Sequence, residues 1–253
     1  MSKIVAIGGG ENGYTDEDGV KHPYEVKAID KAIVELTGKK NPKLLFIPTA
    51  SYDSESYYDV ISKNFAKLGC TTDVLYLSKT TDTKTIKDKI LSSDAIYVGG
   101  GNTLRMMTIW RRLGVDKLLK QAYKKDIVLS GLSAGSICWF ICGNSDSRQY
   151  TNGSDQLIKV TGLGYIDALH CPHYDAEPHR QKDLKRMMKT TPKLVAIALD
   201  NCAALEVVDD KYRIVTSKPT AKARKCYWQK SKYIIEEIEI KKEYSDLKGL
   251  LTK

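Results

Sequence analysis

Ile127-Val128-Leu129-Ser130-Gly131-Leu132-Ser133-Ala134-Gly135 is a short apolar run that ends on the pattern Gly-x-Ser-x-Gly. A strand-like run before the pattern and the helix-like stretch Ile137 to Ile141 after it make this the sequence of a nucleophile elbow. Small flanking residues permit a sharp turn that leaves the serine hydroxyl exposed. Ser133 is therefore the candidate nucleophile. Alone the pentapeptide is a weak signal, because Gly, Ser and Ala suit any strand-to-helix turn.

Outward from this turn, short apolar runs alternate with amphipathic ones. Lys3 to Ile7, Lys43 to Pro48, Asp73 to Leu77, Ala95 to Val98 and Ile127 to Leu132 read as strands. Tyr24 to Thr37, Ser54 to Leu68, Thr83 to Leu91, Thr103 to Trp110 and Val115 to Tyr123 read as helices between them. Such alternation predicts an α/β fold, a mostly parallel sheet flanked by helices on both faces. Ligands then bind beyond the carboxyl ends of the strands. After the elbow, Gly143 to Gln156 reads as a polar loop, Leu157 to Val160 as a strand, Ile166 to Leu169 as an apolar approach, and Arg180 to Lys189 as a helix. Leu194 to Leu199, Ala203 to Val208 and Tyr212 to Val215 read as strands that begin a β-rich C-terminal extension. No linker, repeat or low-complexity tract divides the chain, so residues 1–253 are expected to form one domain.

Composition is that of an ordinary globular protein, 42% hydrophobic and 28% charged. The apolar run at the N-terminus is too short for a signal peptide and no stretch approaches a membrane span, so a cytoplasmic location is expected. Six scattered cysteines without a C-x-x-C pair imply reduced thiols; Cys138 and Cys142, one helical turn apart, are expected to share a packing face. Of the formal charge of +9, Lys211 to Lys253 supplies +7, with twelve Lys or Arg against five Asp or Glu. These basic residues interleave with Tyr212, Ile214, Val215, Tyr227, Trp228, Ile234 and Ile235, a pattern of outward strand faces. With no nucleic-acid motif beside it, no nucleic-acid partner is expected.

A serine nucleophile needs a base and donors for an oxyanion. His170, His173 and His179 cluster downstream of Ser133, and the base is sought among them. Gly99-Gly100-Gly101-Asn102, at the end of the strand Ala95 to Val98, offers exposed amides, as does Ala134. The three histidines with Asp175 or Glu177 match no metal motif, and His170, ending an apolar run, reads as a core histidine. Gly8-Gly9-Gly10-Glu11-Asn12-Gly13 formally matches a dinucleotide fingerprint, but Asp16, Asp18, Gly19 and Pro23 make the next residues a loop, and a nucleotide site would require a helix opening at Glu11.

Val98-Gly99-Gly100-Gly101-Asn102-Thr103, the Ser133-Ala134-Gly135 turn 31 positions after Asn102, and Pro172-His173-Tyr174 together resemble the peptidase E family, from the first strand to about Val208. The resemblance implies a class I glutamine amidotransferase-like, flavodoxin-like fold and a serine peptidase that needs no cofactor or metal. It implies Ser133 as nucleophile, His173 as base, and oxyanion donors from Gly100 or Gly101 with Ala134. Asn102 follows these glycines as a substrate-binding candidate. The family's acidic residue after the nucleophile helix corresponds to Asp146, with Asp155, Asp175 and Glu206 as competitors. Typical members release an N-terminal aspartate from dipeptides, and the arginine that meets its side chain corresponds to Arg180. The segment between His173 and Arg180 is shorter than in those enzymes. The expected partner is a small peptide; association into a homo-oligomer is left open. Competing readings are a non-catalytic binding protein of this fold and a hydrolase of a non-peptide amide.

Overall fold

The computed structural model describes residues 1–15, 18–176 and 178–253. Strands β1 (Lys3–Ile7), β2 (Lys43–Ile47), β4 (Ala95–Val98) and β5 (Val128–Leu132) are apolar runs almost wholly buried, as parallel strands covered on both faces must be. With β3 (Thr71–Val74) they form a parallel block ordered β1-β5-β4-β2-β3. Successive side chains point to opposite faces, and the two cores divide accordingly. Val5, Ile7, Leu44 and Phe46 pack under α1 (Lys27–Leu36) and α2 (Glu55–Ala66), through Ile29, Ile33, Ile61 and Phe65. Ile4, Ala6, Leu45 and Ile47 pack on the other face with α3 (Thr83–Leu91), α4 (Thr103–Leu113) and α5 (Val115–Tyr123). Each fully buried side chain of this size contributes about 1.5–3 kcal/mol.

Beyond β5 the chain departs from the sequence-based expectation. Residues 137–141 are not one helix: α6 (Ala134–Ile137) is a single turn, and Phe140–Ser145 is a strand, β6. Cys138 lies at the C-cap of α6 and Cys142 on β6, so the two do not share a helical face. The expected loop of residues 143–156 contains the end of β6 and a short helix, α7 (Ser147–Asn152). β6 founds a second sheet, ordered β13-β12-β9-β8-β6-β7, built from β7 (Ile158–Thr161), β8 (Ile166–Cys171), β9 (Ala196–Leu199), β12 (Ala223–Gln229) and β13 (Lys232–Glu237). Within it β6, β8 and β9 run parallel and the outer strands antiparallel. The C-terminal strands divide between the sheets. β10 (Ala203–Val208), β11 (Lys211–Thr216) and β14 (Ser245–Asp246) extend the first sheet beyond β1, each antiparallel to the strand before it, while β12 and β13 extend the second. Helix α8 (Pro178–Lys189) packs on the second sheet through Leu184 and Met188, and α9 (Leu247–Leu251) closes the chain. The larger core joins residues of both sheets. All six cysteines are free and buried, and among the described residues no helix is long and apolar enough to cross a membrane.

Candidate active site

The elbow is built as its composition requires. A side chain on Gly131 would stand 2.3 Å from the Gly135 carbonyl oxygen, and one on Gly135 would stand 2.1 Å from that of Val98, so both positions exclude a Cβ. Between them Ser133 adopts φ 56° and ψ −112°, a strained conformation of the kind that concentrates at functional sites. Its N–H donates to Ile7 O (3.0 Å), fixing the turn to β1. Ser136 supports the turn from below: its hydroxyl bonds Ser133 O (2.6 Å) and His170 Nε2 (2.8 Å). His170 is fully buried, stacked on Phe140, with Nδ1 3.0 Å from Ile197 O. Burial pushes its pKa down to about 3, so it is a neutral core histidine. His179 lies on α8, Asp175 is engaged elsewhere, and Glu177 lies outside the described residues.

His173 follows β8 and Pro172, and its Nε2 stands 2.9 Å from Ser133 Oγ. Its Nδ1 is 2.7 Å from Asn201 Oδ1, so that Nδ1 carries the proton and Nε2 is left as the acceptor facing Ser133. Asn201 sits in the three-residue link between β9 and β10, with its N–H donating to Asp175 Oδ1 (2.8 Å). The first glycine loop holds this pair from behind. His173 N–H donates to Gly8 O (3.0 Å) and Cys202 N–H to Gly9 O (2.8 Å). A Cβ on Gly9 would fall 2.1 Å from Asn201 Oδ1 and 2.3 Å from His173 Nδ1, so only glycine leaves room for the histidine–asparagine contact. The glycines that resemble a dinucleotide fingerprint therefore serve the imidazole. No helix opens at Glu11; the chain instead turns back through isolated bridges pairing Asn12 with Tyr24 and Thr15 with Lys21.

Gly100 lies against the serine: a Cβ there would stand 3.4 Å from Ser133 Cβ, and its N–H reaches the Tyr57 hydroxyl at 3.5 Å. Gly101 takes φ 128° beside the Ala50 carbonyl. Ala134 is the first residue of α6, where backbone N–H groups have no intrahelical acceptor. Asn102 is buried outside the cleft, its Oδ1 accepting from Arg105 N (3.0 Å) as the N-cap of α4.

Asp146 and Arg180 lie together. Arg180 is 1% exposed, donating to Asn144 O (2.9 Å) and to Asp146 Oδ2 (3.4 Å). Neither lines the cleft over Ser133, and the residue on His173 Nδ1 is Asn201 rather than Asp146. Asp155 precedes β7, and Glu206 is buried on β10 in a bidentate pair with Arg213. Asn201 was legible only as a polar turn at the carboxyl end of a strand, and Gly9 only as part of a motif that suggested other chemistry.

Ser133 and His173 open onto a cleft of about 770 Å³, lined also by Glu11, Asn12, Tyr14, Tyr57, Gly100 and Asn201. It lies beyond the carboxyl ends of β1, β4 and β5, where α/β sheets bind ligands.

Comparison with known proteins places this arrangement in a family. The model of peptidase family S51 matches residues 17–215. The uncharacterized peptidase YgaJ of Bacillus subtilis (strain 168) is 32% identical over 224 residues, covering 88% of this chain and 91% of the relative. Peptidase E of Shewanella denitrificans is 25% identical over 208 residues, covering 78% and 83%. The crystal structure of a peptidase from an acI-B1 Actinobacterium superposes with a TM-score of 0.69 over 97% of both chains at 17% identity, which carries the fold. Motif order, elbow and shared architecture agree with the sequence match, and the chain belongs to peptidase family S51 with a class I glutamine amidotransferase-like fold.

Proposed function

We propose that the chain is a serine exopeptidase or dipeptidase that hydrolyses a peptide bond through an acyl-enzyme on Ser133. The observation that carries this reading is the 2.9 Å contact between Ser133 Oγ and His173 Nε2 at the base of an open cleft. A non-catalytic binding protein of the same fold has no need of that contact. His173 takes the hydroxyl proton as Ser133 Oγ attacks the substrate carbonyl. The resulting oxyanion is met by the backbone amides of Ala134 and of Gly100 or Gly101. His173 then gives its proton to the leaving amine, and a water activated by the same imidazole releases the acyl group.

In this mechanism Asn201 takes the orienting role that the family resemblance suggests for Asp146. A neutral amide oxygen fixes the ring and its tautomer but adds no charge to stabilise the imidazolium. Asp146 and Arg180 then serve the packing of β6 against α8, and Asn102 serves the start of α4. Preference for an N-terminal aspartate would require a cation facing the cleft, and Arg180, the residue expected to supply it, is buried against Asn144 and Asp146. The reading therefore rests on the nucleophile and base, not on aspartate recognition. A serine-reactive phosphonate should label the purified protein, and Ser133→Ala should abolish both labelling and dipeptide turnover. Labelling that survives the substitution would sink the assignment.

A further inference from the structure

Tyr57 reaches the glycine loop beside Ser133 from the first turn of α2, where its N–H donates to the Ser54 hydroxyl (3.2 Å). Its ring packs edge-on against Phe46 with centroids 5.1 Å apart, and a Cβ on Gly99 would stand 2.9 Å from Tyr57 Cε1. Gly99 therefore makes room for an aromatic ring as well as for a turn. The side chain is half-buried and lines the cleft with Gly100, Ser133 and His173.

The phenolic oxygen accepts from Asn12 Nδ2 (3.4 Å) and from the Gly100 N–H (3.5 Å). Asn12 is itself fixed, its backbone carbonyl accepting from Asn64 Nδ2 (2.6 Å). With both donors in place the phenol's own hydrogen points elsewhere, and among the described residues no group accepts it. Burial pushes the phenol up to about 12, which keeps that hydrogen bound well above neutral pH.

Gly100 brings the phenol to the reacting atoms. A Cβ on Gly100 would lie 3.4 Å from Ser133 Cβ, and the amide of the same residue faces Tyr57 Oη. An oxygen within hydrogen-bond reach of that amide can stand about 3 Å from the phenol as well. The amides on either side of the loop are engaged, Gly99 N–H with Ile47 O (3.2 Å) and Asn102 N–H with Ala50 O (2.9 Å).

We infer that Tyr57 is a catalytic residue whose O–H donates to the oxyanion, beside the backbone amides; this rests on the peptidase reading above. As the bond from Ser133 Oγ to the carbonyl carbon forms, the π pair of the carbonyl moves onto its oxygen and the serine proton passes to His173. The phenol shares its hydrogen with that oxygen without releasing it, and is left as it began when the intermediate collapses. Asn201 adds no charge behind His173, so stabilisation of the intermediate falls to the oxyanion side.

The rate at which an aminoalkyl diphenyl phosphonate labels Ser133 reads this donor, because the phosphoryl oxygen takes the place of the oxyanion. Tyr57→Phe keeps the ring and removes the hydrogen, and should slow labelling by about 100-fold. A difluorinated tyrosine at position 57 keeps ring and hydroxyl but ionises at lower pH, and a phenolate cannot donate. Its labelling should fall as pH rises through that ionisation, while the parent shows no such limb; a phenol that only packs against Phe46 gives none either. The inference is overturned if Tyr57→Phe, cooperatively folded by urea denaturation, is labelled within about threefold of the parent rate, or if the difluorinated protein follows the parent profile. Should Tyr57→Phe fail to fold, the difluorinated protein decides alone. A parent that the phosphonate does not label overturns the peptidase reading and this inference with it, whereas a labelled parent with indifferent variants overturns this inference alone.

Discussion

Asn201 is the residue on which the proposed chemistry turns, because it decides how basic His173 becomes. Replacing the amide by a carboxylate keeps the 2.7 Å contact with Nδ1 and adds a negative charge beside the ring. An opposite charge at that distance favours imidazolium and raises the histidine pKa. The neutral base is then lost at higher pH on descending the scale. Asn201→Asp should therefore move the acidic limb of the kcat/KM profile upward by about 1 unit, which a pH–rate series between pH 4 and 9 will read. Gly9→Ala tests the same contact sterically. Its methyl would lie 2.3 Å from His173 Nδ1 and 2.1 Å from Asn201 Oδ1, so turnover should fall by about 100-fold or more with phosphonate labelling slowed in parallel. Neither residue was legible as part of the site. Ser133 and His173 announce themselves through ordered motifs, whereas an asparagine in a turn and a glycine in a loop are common residues whose partner, 28 positions away for Asn201, only the fold brings to them.

At the scale of elements, Asp146, expected as the partner of His173, and Arg180, expected at the substrate, meet each other at the seam between β6 and α8. Arg180 caps the Asn144 carbonyl and meets Asp146, so Arg180→Met removes a donor from a buried oxygen and leaves a carboxylate unpaired. Asp146 is 25% exposed and water relieves part of the loss, leaving an expected cost of about 2–3 kcal/mol. Urea denaturation should show a lower midpoint with an unchanged slope, while the ranking of dipeptides by N-terminal charge stays as in the parent. β6 is not legible in the sequence, for a physical reason. Phe140-Ile141-Cys142 is too short to separate strand from helix by period, and Gly143-Asn144-Ser145 is polar. Those polar residues are buried with Thr103, Ser147, Cys171 and Arg180 as hydrogen-bond partners of the Ser145 hydroxyl and of the Asn144 amide nitrogen and carbonyl, a set of tertiary contacts that periodicity does not encode. The strands of the first sheet were legible because burial on both faces leaves a continuous apolar signature.

For the molecule as a whole, the buried carboxyl of Asp30 sets part of the dependence of stability on pH. It is fully buried on α1, accepts from the Tyr24 hydroxyl at 2.6 Å, and burial pushes its pKa up to about 7 from an ordinary 3.8. Between those values the folded state holds a proton that the unfolded chain has lost, so stability falls as pH rises through the window and stays lower above it. Asp30→Asn keeps an acceptor for Tyr24 and removes the charge. The variant should match the parent near pH 4 and exceed it by roughly 3 kcal/mol at pH 8, measured as urea midpoints at the two pH values. The sequence yielded the α/β class and the parallel block around β5 but not the second sheet, whose strands are separated by helices and shared with an extension that reads as one β-rich tail. That second sheet matters to the chemistry in a way its topology alone does not state. Ser133 rides on the end of β5 in one sheet, His173 on the end of β8 in the other, and Asn201 in the link that crosses between them. The proton leaving the serine thus passes from one sheet to the other, and the 2.9 Å between donor and acceptor is a measure of how the two sheets dock.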